Sequence, residues 1–360
     1  MIASKLKKIN IMLHPQKLFY SPEWIVLGVN NICNLHCKMC DVGTGYDTSN
    51  FYHHLAGNQP VNMPLPLIKK IIDETSEYFP EAKLGYAFTE PSVYPHLVES
   101  LEYARDKNLH TSLTTNGLNL SKIAAKLCDS GLNELFVSLD GPPEIHNKIR
   151  GHNRSFENAI EGIRNVIWYK GRKPDVSVFC TITEWNISTL AEFAEIFRNI
   201  PLTSMGFMHT NFTPDSIVNE HNSKYGNNYP ATISNMYGIN INKMDIKVLQ
   251  TEIEKVKKIK TRFRIKFSPE INSLKGLETF YFEPEKLIGR ICNDSFRNIM
   301  IKSDGTVIPS HGRCYNVIAG NIYHTNLKEI WNSSSISDFR KTLIEAGGLL
   351  PACSRCCSAF

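Results

Sequence analysis

Six short apolar runs, most of them followed by a helical pattern, constrain the fold of this chain more than anything else in it. The runs are 24–30 (WIVLGVN), 82–88 (AKLGYAF), 110–115 (HTSLTT), 133–139 (NELFVSL), 175–182 (DVSVFCTI) and 203–210 (TSMGFMHT). Helical patterns read over 94–107, 120–130, 155–169 and 187–199. A strand that returns through a helix pairs parallel with its predecessor, because parallel partners need a long crossover. The expectation is an α/β fold built on a parallel sheet. Residues 210–243 are polar and rich in Asn, Gly and Pro, which predicts a long loop, and loops of that length are functional or disordered. A helix over 244–259 and a strand over 263–268 follow. From 284 the pattern changes to short strands and turns, and RNIMIKSDGTVIP reads as a hairpin turning at Asp304-Gly305. Four segments result: an extension (1–23), an α/β unit (24–210), a loop with a connecting helix and strand (211–283), and a small α+β unit (284–360).

The 360 residues suit one large α/β domain, or a large domain plus a small one. The net charge is +5, from 40 basic and 35 acidic residues that are well mixed. A nucleic-acid footprint would need a concentrated basic stripe, so no nucleic-acid partner is expected. No apolar stretch reaches the length of a membrane span, so no integral membrane span is expected either. The opening MIASKLKKINIMLHPQKLF is basic and mildly amphipathic, without the apolar region and cleavage site of a secretory signal. It reads as a solvated leading helix, with contact to a membrane or partner as the alternative. A cytoplasmic location is the expectation.

Ten cysteines fall into two groups and two strays. Cys33, Cys37 and Cys40 lie in CNLHCKMC; Cys292, Cys314, Cys353, Cys356 and Cys357 lie near the end; Cys128 and Cys180 stand alone in apolar segments. In a reducing compartment, clustered cysteines are metal ligands or catalytic groups more often than disulfides. The first group follows the first apolar run, so it sits at the C-terminal end of a strand. Its thiolates could hold zinc or an iron–sulfur cluster. A structural zinc takes four ligands, and His36 is adjacent to Cys37 and poorly placed to be the fourth. A [4Fe-4S] cube on three thiolates leaves one iron open to a small chelating molecule.

CNLHCKMC resembles the C-x3-C-x2-C signature of the radical S-adenosylmethionine (radical SAM) superfamily. Other segments follow in order: FTEP (88–91) is similar to that family's Gly-Gly-Glu-Pro segment after the second strand, TTNG (114–117) follows the third, and SLDGPPEIHNKIRG (138–151) the fourth. The resemblance implies a partial (β/α)6 TIM-like barrel. It implies that the open iron chelates S-adenosylmethionine and that the reduced cluster, fed by a one-electron reductant such as flavodoxin or ferredoxin, cleaves it. The resulting 5′-deoxyadenosyl radical takes hydrogen from substrate. By position, Glu90 would meet the methionine ammonium, and Asn116, Ser138 and Arg150 the ribose hydroxyls and carboxylate. A zwitterion with a diol asks for these residue types. Phe88 and Thr89 depart from the family's paired glycines.

The closing region, with GNIYHTNLKEIWNSSSISDFRKTL (320–343) and CSRCC (353–357), resembles the SPASM or twitch domains that hold auxiliary [4Fe-4S] clusters. Five cysteines are too few for the two-cluster version, so one auxiliary cluster is implied, on Cys292, Cys314, Cys353 and Cys356, and two clusters in the whole chain. Family spacing favours Cys356 over Cys357, a choice the residues alone leave open. Ser310 stands where that family usually has a cysteine, and Cys314 would take its place. A four-cysteine zinc ribbon is the alternative.

Cys128 and Cys180 read as buried hydrophobes. Cys180 lies near the C-terminal end of a strand, where barrel sites form, and its thiol could return a hydrogen atom to a substrate radical. Tyr86, Glu184, His209 and Asn211 lie at strand ends as candidate substrate contacts. The expected function is radical SAM oxidation, by two electrons net, of a small polar substrate such as a sugar, aminocyclitol or nucleoside. The alternatives are epimerisation of such a substrate, maturation of a peptide, and a non-catalytic zinc-binding scaffold. The stretch before Cys33 is short for a peptide-recognition domain, which weighs against the peptide.

Overall fold

A computed structural model describes residues 2–57, 59–309, 313–315 and 317–360, with side chains from residue 5 onward. Ser310 lies outside the described residues. Among the described residues one sheet has ten strands: β1 (Trp24–Leu27), β2 (Lys83–Tyr86), β3 (Thr111–Thr115), β4 (Glu134–Ser138), β5 (Asp175–Ile182), β6 (Ser204–His209), β7 (Arg264–Ser268), β8 (Asn298–Ile301), β9 (Thr306–Ile308) and β10 (Gly320–Asn321). The order is β10-β9-β8-β1-β2-β3-β4-β5-β6-β7. From β8 through β7 every neighbouring pair is parallel; β9 and β10 turn back antiparallel. The protein is an α/β partial barrel of TIM-like type with a C-terminal cysteine-bearing region.

Each expected strand of the alternating series is present, and the expected helices form as Leu97–Asp106, Leu120–Asp129, Ser155–Ile167 and Leu190–Ile196; Leu65–Tyr78 and Pro143–Arg150, beyond those expected, lie between strands as well. Their apolar faces explain them. In Ser155–Ile167, Phe156, Ala159, Ile160, Ile163, Val166 and Ile167 are buried, at helical spacing. Burying each large one contributes about 1.5–3 kcal/mol. Gly162 lets this helix lie against its neighbour: a Cβ there would come within 2.5 Å of Leu120.

Two further features differ from expectation. The stretch read as a loop over 210–243 contains a helix, Asp215–Tyr225, whose Ile217, Val218 and His221 are buried on one face. Its polar composition masks that short apolar stripe. The hairpin expected at 298–308 forms, with Met300 opposite Ile308, but it does not stand apart in a separate unit. Its first strand joins the main sheet beside β1, Trp24 aligned with Asn298 and Leu27 with Ile301.

Candidate active site

The loop after β1 carries Cys33, Cys37 and Cys40, and it is held by backbone of distant segments. Lys38 N–H donates to Ile149 O (2.9 Å), Cys40 N–H to Cys37 O (3.2 Å) and Glu90 N–H to Ile32 O (3.1 Å). Three glycines let other chain segments approach it. A Cβ at Gly43 would lie 2.6 Å from Cys37 N and O; one at Gly151, where φ is +69°, 3.0 Å from His36 O; one at Gly238, 1.8 Å from Lys38 O. Asp41, next to Cys40, is buried. Its carboxylate accepts from Ser234 Oγ (2.7 Å) and Asn235 N–H (2.8 Å), fastening residues 234–238 across the cysteine loop.

Cys33, Cys37, Cys40, Asn116, Ser138 and Arg150 line one pocket, with Phe51, Leu55, Phe88 and Thr89 on its other walls. Arg150 is buried; its Nε donates to Asp140 Oδ2 (2.6 Å) and its Nη1 reaches Cys37 Sγ at 3.7 Å. Burial opposes the guanidinium charge, but Asp140 and Cys37 outweigh it and raise its pKa. Asp140 is itself fixed by Thr181 N–H at 2.9 Å. Burial pushes the Cys33 thiol up and the Cys37 thiol up to about 12. Such thiols become thiolates when a cation takes the proton's place.

Glu90 stands differently from its expected role. It is fully buried behind the pocket: Oε1 accepts from Thr115 Oγ1 (2.6 Å) and Ser92 N–H (3.0 Å), and Oε2 from Asn116 N–H (2.7 Å). Its carboxylate orders the Thr115–Asn116 backbone and does not front the pocket. The glycine-type backbone of the FTEP segment survives without glycine, since Phe88 has φ +84°. Its ring packs with Leu55, Met300 and Ile308.

A second pocket is lined by Cys292, Cys314, Cys353 and Cys356, together with Asn211, Thr213, Thr232, Arg313 and Tyr315; Cys357 is not among its walls. Burial pushes the Cys292 thiol up to about 12 and raises Cys353. A hydrogen bond with Cys357 is the largest cause raising Cys356, ahead of burial. Tyr315 Oη lies 3.1 Å from Cys353 Sγ, and its ring stacks on His221 at 4.7 Å. Arg355, between the last two ligand candidates, is buried and donates to the carbonyls of Thr279 (2.8 Å) and Glu283 (2.7 Å) and to that of Phe280. It caps the C-terminus of helix Leu274–Phe282 and ties the cysteine turn to it.

Among the described residues no three His, Cys, Asp or Glu side chains close on a single point as one metal ion would require. In both sets the sulfurs surround a cavity, and the first cavity has polar residues on its open side. That donor set fits two iron–sulfur clusters, one with a side left for a polar ligand.

The remaining sequence candidates do not join the first pocket. Cys180 is fully buried beneath Asn186, whose Nδ2 is 3.7 Å from its sulfur. Tyr86 is buried in the core. Glu184 Oε1 accepts from Asn240 N–H at 2.8 Å. His209 is buried, with Nδ1 2.8 Å from Tyr281 Oη. Asn211 lines the second pocket. Sequence reasoning missed Asp41, Phe51, Asp140, Arg313 and Tyr315. Arg313 lies over the Phe51 ring at 4.1 Å, so a first-pocket wall touches a second-pocket wall. Asp140 stood inside the quoted SLDGPP segment; the others carried no signal, because their partners are far away in sequence.

Residues 28–198 match the radical SAM superfamily, and residues 292–357 match SPASM, an iron–sulfur cluster-binding domain. The chain thus carries a radical SAM domain and, after it, a SPASM domain. The two matches imply S-adenosylmethionine and two iron–sulfur clusters as cofactors. Among curated relatives, a probable GTP 3′,8-cyclase of Methanocaldococcus jannaschii is 34% identical over 143 residues, 39% of this chain and 44% of that one. The mycofactocin maturase MftC of Mycolicibacterium smegmatis is 27% identical over 166 residues, 46% of this chain and 38% of that one. The chain thus spans less than half the length of these relatives. Among solved structures, native anSMEcpe with bound AdoMet superposes with a TM-score of 0.60 at 20% identity, covering 88% of this chain and 82% of that one. Streptococcus suis SuiB bound to precursor peptide SuiA gives 0.62 at 15%, covering 98% and 73%. These two share the fold.

Proposed function

We propose that the protein oxidises a small polar substrate by two electrons, at the partition between its two cysteine pockets. The observation that carries this is the Phe51–Arg313 contact, which joins a wall of one pocket to a wall of the other. Bound there, the cofactors supply hydrogen-atom abstraction on one side and one-electron acceptance on the other, the two halves of such an oxidation. Cys33, Cys37 and Cys40 hold the first cluster; Cys292, Cys314, Cys353 and Cys356 hold the second. Asn116, Ser138 and Arg150 orient the polar end of S-adenosylmethionine, while Glu90 keeps Asn116 in position. Phe51, Leu55 and Phe88 exclude water from that wall. Arg313 and Asn211 offer hydrogen bonds to the substrate. On this reading residues 24–210 carry the first site and 284–360 the second.

Epimerisation would need a thiol beside the substrate, and the burial of Cys180 away from both pockets weighs against it. A peptide substrate is the second reading, favoured by the mycofactocin maturase among the relatives. The test is anaerobic turnover in deuterated solvent with candidate sugars, aminocyclitols, nucleosides and short peptides. The expected result is one 5′-deoxyadenosine per oxidised small molecule, with no deuterium at the new carbonyl carbon. One solvent deuterium on the product carbon, lost in Cys180→Ala, would overturn oxidation. Turnover of peptides alone would overturn the substrate class.

A further inference from the structure

We propose that the N-terminal helix Ile2–Leu13 seats the protein on an anionic lipid surface. The helix is packed the reverse way round from an ordinary surface helix. Its inward side is mainly polar, with half-buried Ile11 packed on the core: Lys7 pairs with Glu23 at 3.0 Å and lies over the Tyr20 ring, and buried Asn10 donates to Lys17 O (2.8 Å) and accepts from Phe19 N–H (2.7 Å). Its apolar side faces outward. Leu6 is 60% exposed, Ile9 51%, Met12 74% and Leu13 68%, and Phe19 just beyond is 68% exposed. At 100° per residue, Leu6, Ile9, Met12 and Leu13 share one arc, with exposed Lys5 and Lys8 along it. A monomeric protein gains nothing by ordering a stripe of this kind toward water.

The charge says what covers it. Residues 1–22 hold four lysines and no Asp or Glu. An exposed apolar stripe with Lys8 at one edge and Lys5 within it, whose long side chains can reach up to the headgroups, suits the interface of an anionic bilayer. A second copy of this chain would bring lysines against lysines. The mount beneath the helix is firm. Leu18 exchanges hydrogen bonds with Asn332 (2.9 and 3.1 Å), Ser337 Oγ donates to Gln16 O (2.5 Å), and Trp331 Nε1 donates to Tyr20 O (2.7 Å). Docking would therefore orient the whole body, with no membrane-spanning segment involved; among the described residues no helix is long and apolar enough to cross a membrane.

The test is co-sedimentation of the cluster-loaded full chain with vesicles of phosphatidylcholine alone and with added phosphatidylglycerol. Pelleting with the anionic vesicles, weakened by salt, is expected. Leu6→Gln with Ile9→Gln and Leu13→Gln should weaken it about tenfold or more, since each buried apolar side chain contributes to the affinity. Unchanged circular dichroism and S-adenosylmethionine cleavage in that variant would show the fold intact. Should the triple variant unfold, Lys5→Gln with Lys8→Gln, both exposed, tests the same face and is expected to lose the preference for anionic vesicles. No pelleting, equal pelleting with both vesicles, or unchanged pelleting in the variants would overturn the proposal. So would a concentration-dependent dimer abolished by the same substitutions, which would assign the stripe to a second copy.

Discussion

Phe88 combines an unfavourable backbone with a useful side chain. At φ +84° a residue with a Cβ is strained by about 1–2 kcal/mol, while its ring gains apolar contact with Leu55, Met300 and Ile308. Phe88→Ala keeps the strain and loses the ring; Phe88→Gly loses both. The expected order of thermal midpoints is therefore wild type first, Gly next and Ala last, with about 1 kcal/mol between the two variants by denaturant unfolding. His209 gives a pH signature. Burial lowers its pKa from 6.5 to about 3, so the folded state refuses a proton that the unfolded chain accepts. Its contribution is complete above pH 6.5 and is lost progressively as pH falls from there toward 3, about 2 kcal/mol by pH 5. His209→Gln should flatten the stability–pH profile in that window, read by urea unfolding at a series of pH values. The cysteines were legible at this scale because ligand chemistry fixes residue type and short spacing. The job of Glu90 was not, because Thr115 and Asn116, which occupy its oxygens, come some 25 residues later in the chain.

At the scale of elements, the clasp over the cysteine loop depends on backbone contact. A methyl on Gly238 would fall 1.8 Å from Lys38 O, where no side-chain rotation relieves it. Gly238→Ala is expected to destabilise the protein by several kcal/mol, as overpacking at a rigid contact does, or to open the loop and lower iron loading of the first site. Thermal midpoint and iron content per chain measure the two effects. Asp41→Asn, which leaves a clasp of the same shape with weaker hydrogen bonds, should show the same loss in milder form. Alternating strands and helices were legible because buried parallel strands and amphipathic helices each have their own period. The helix Asp215–Tyr225 was not, since three buried residues in eleven leave its pattern almost wholly polar. Nor was the placement of β8, because sheet order beyond an alternating series depends on long-range packing that no local period encodes.

For the whole molecule, the two cysteine sets predict separable metal loading. Anaerobically reconstituted protein should hold about eight iron atoms, four for each cube. Cys353→Ala with Cys356→Ala should leave about four and retain S-adenosylmethionine cleavage without substrate. Cys33→Ala with Cys37→Ala and Cys40→Ala should also leave about four, but abolish 5′-deoxyadenosine. Iron that stays at eight in either variant would contradict two independent sites.

The pairing of β1 with β8 also sets a clock. β1 ends at Leu27, immediately before the first cysteines, whereas its neighbour on one side begins only at Asn298. At about 5–20 residues per second on the ribosome, that edge stays bare for tens of seconds after β1 has emerged. For that interval the cysteine loop is flanked on one side only, and Gly238 and Ser234 arrive to clasp it late as well. The unfinished chain therefore carries this loop less covered than the finished molecule does. A chain ending before Asn298 would leave that edge of β1 unpaired and prone to self-association.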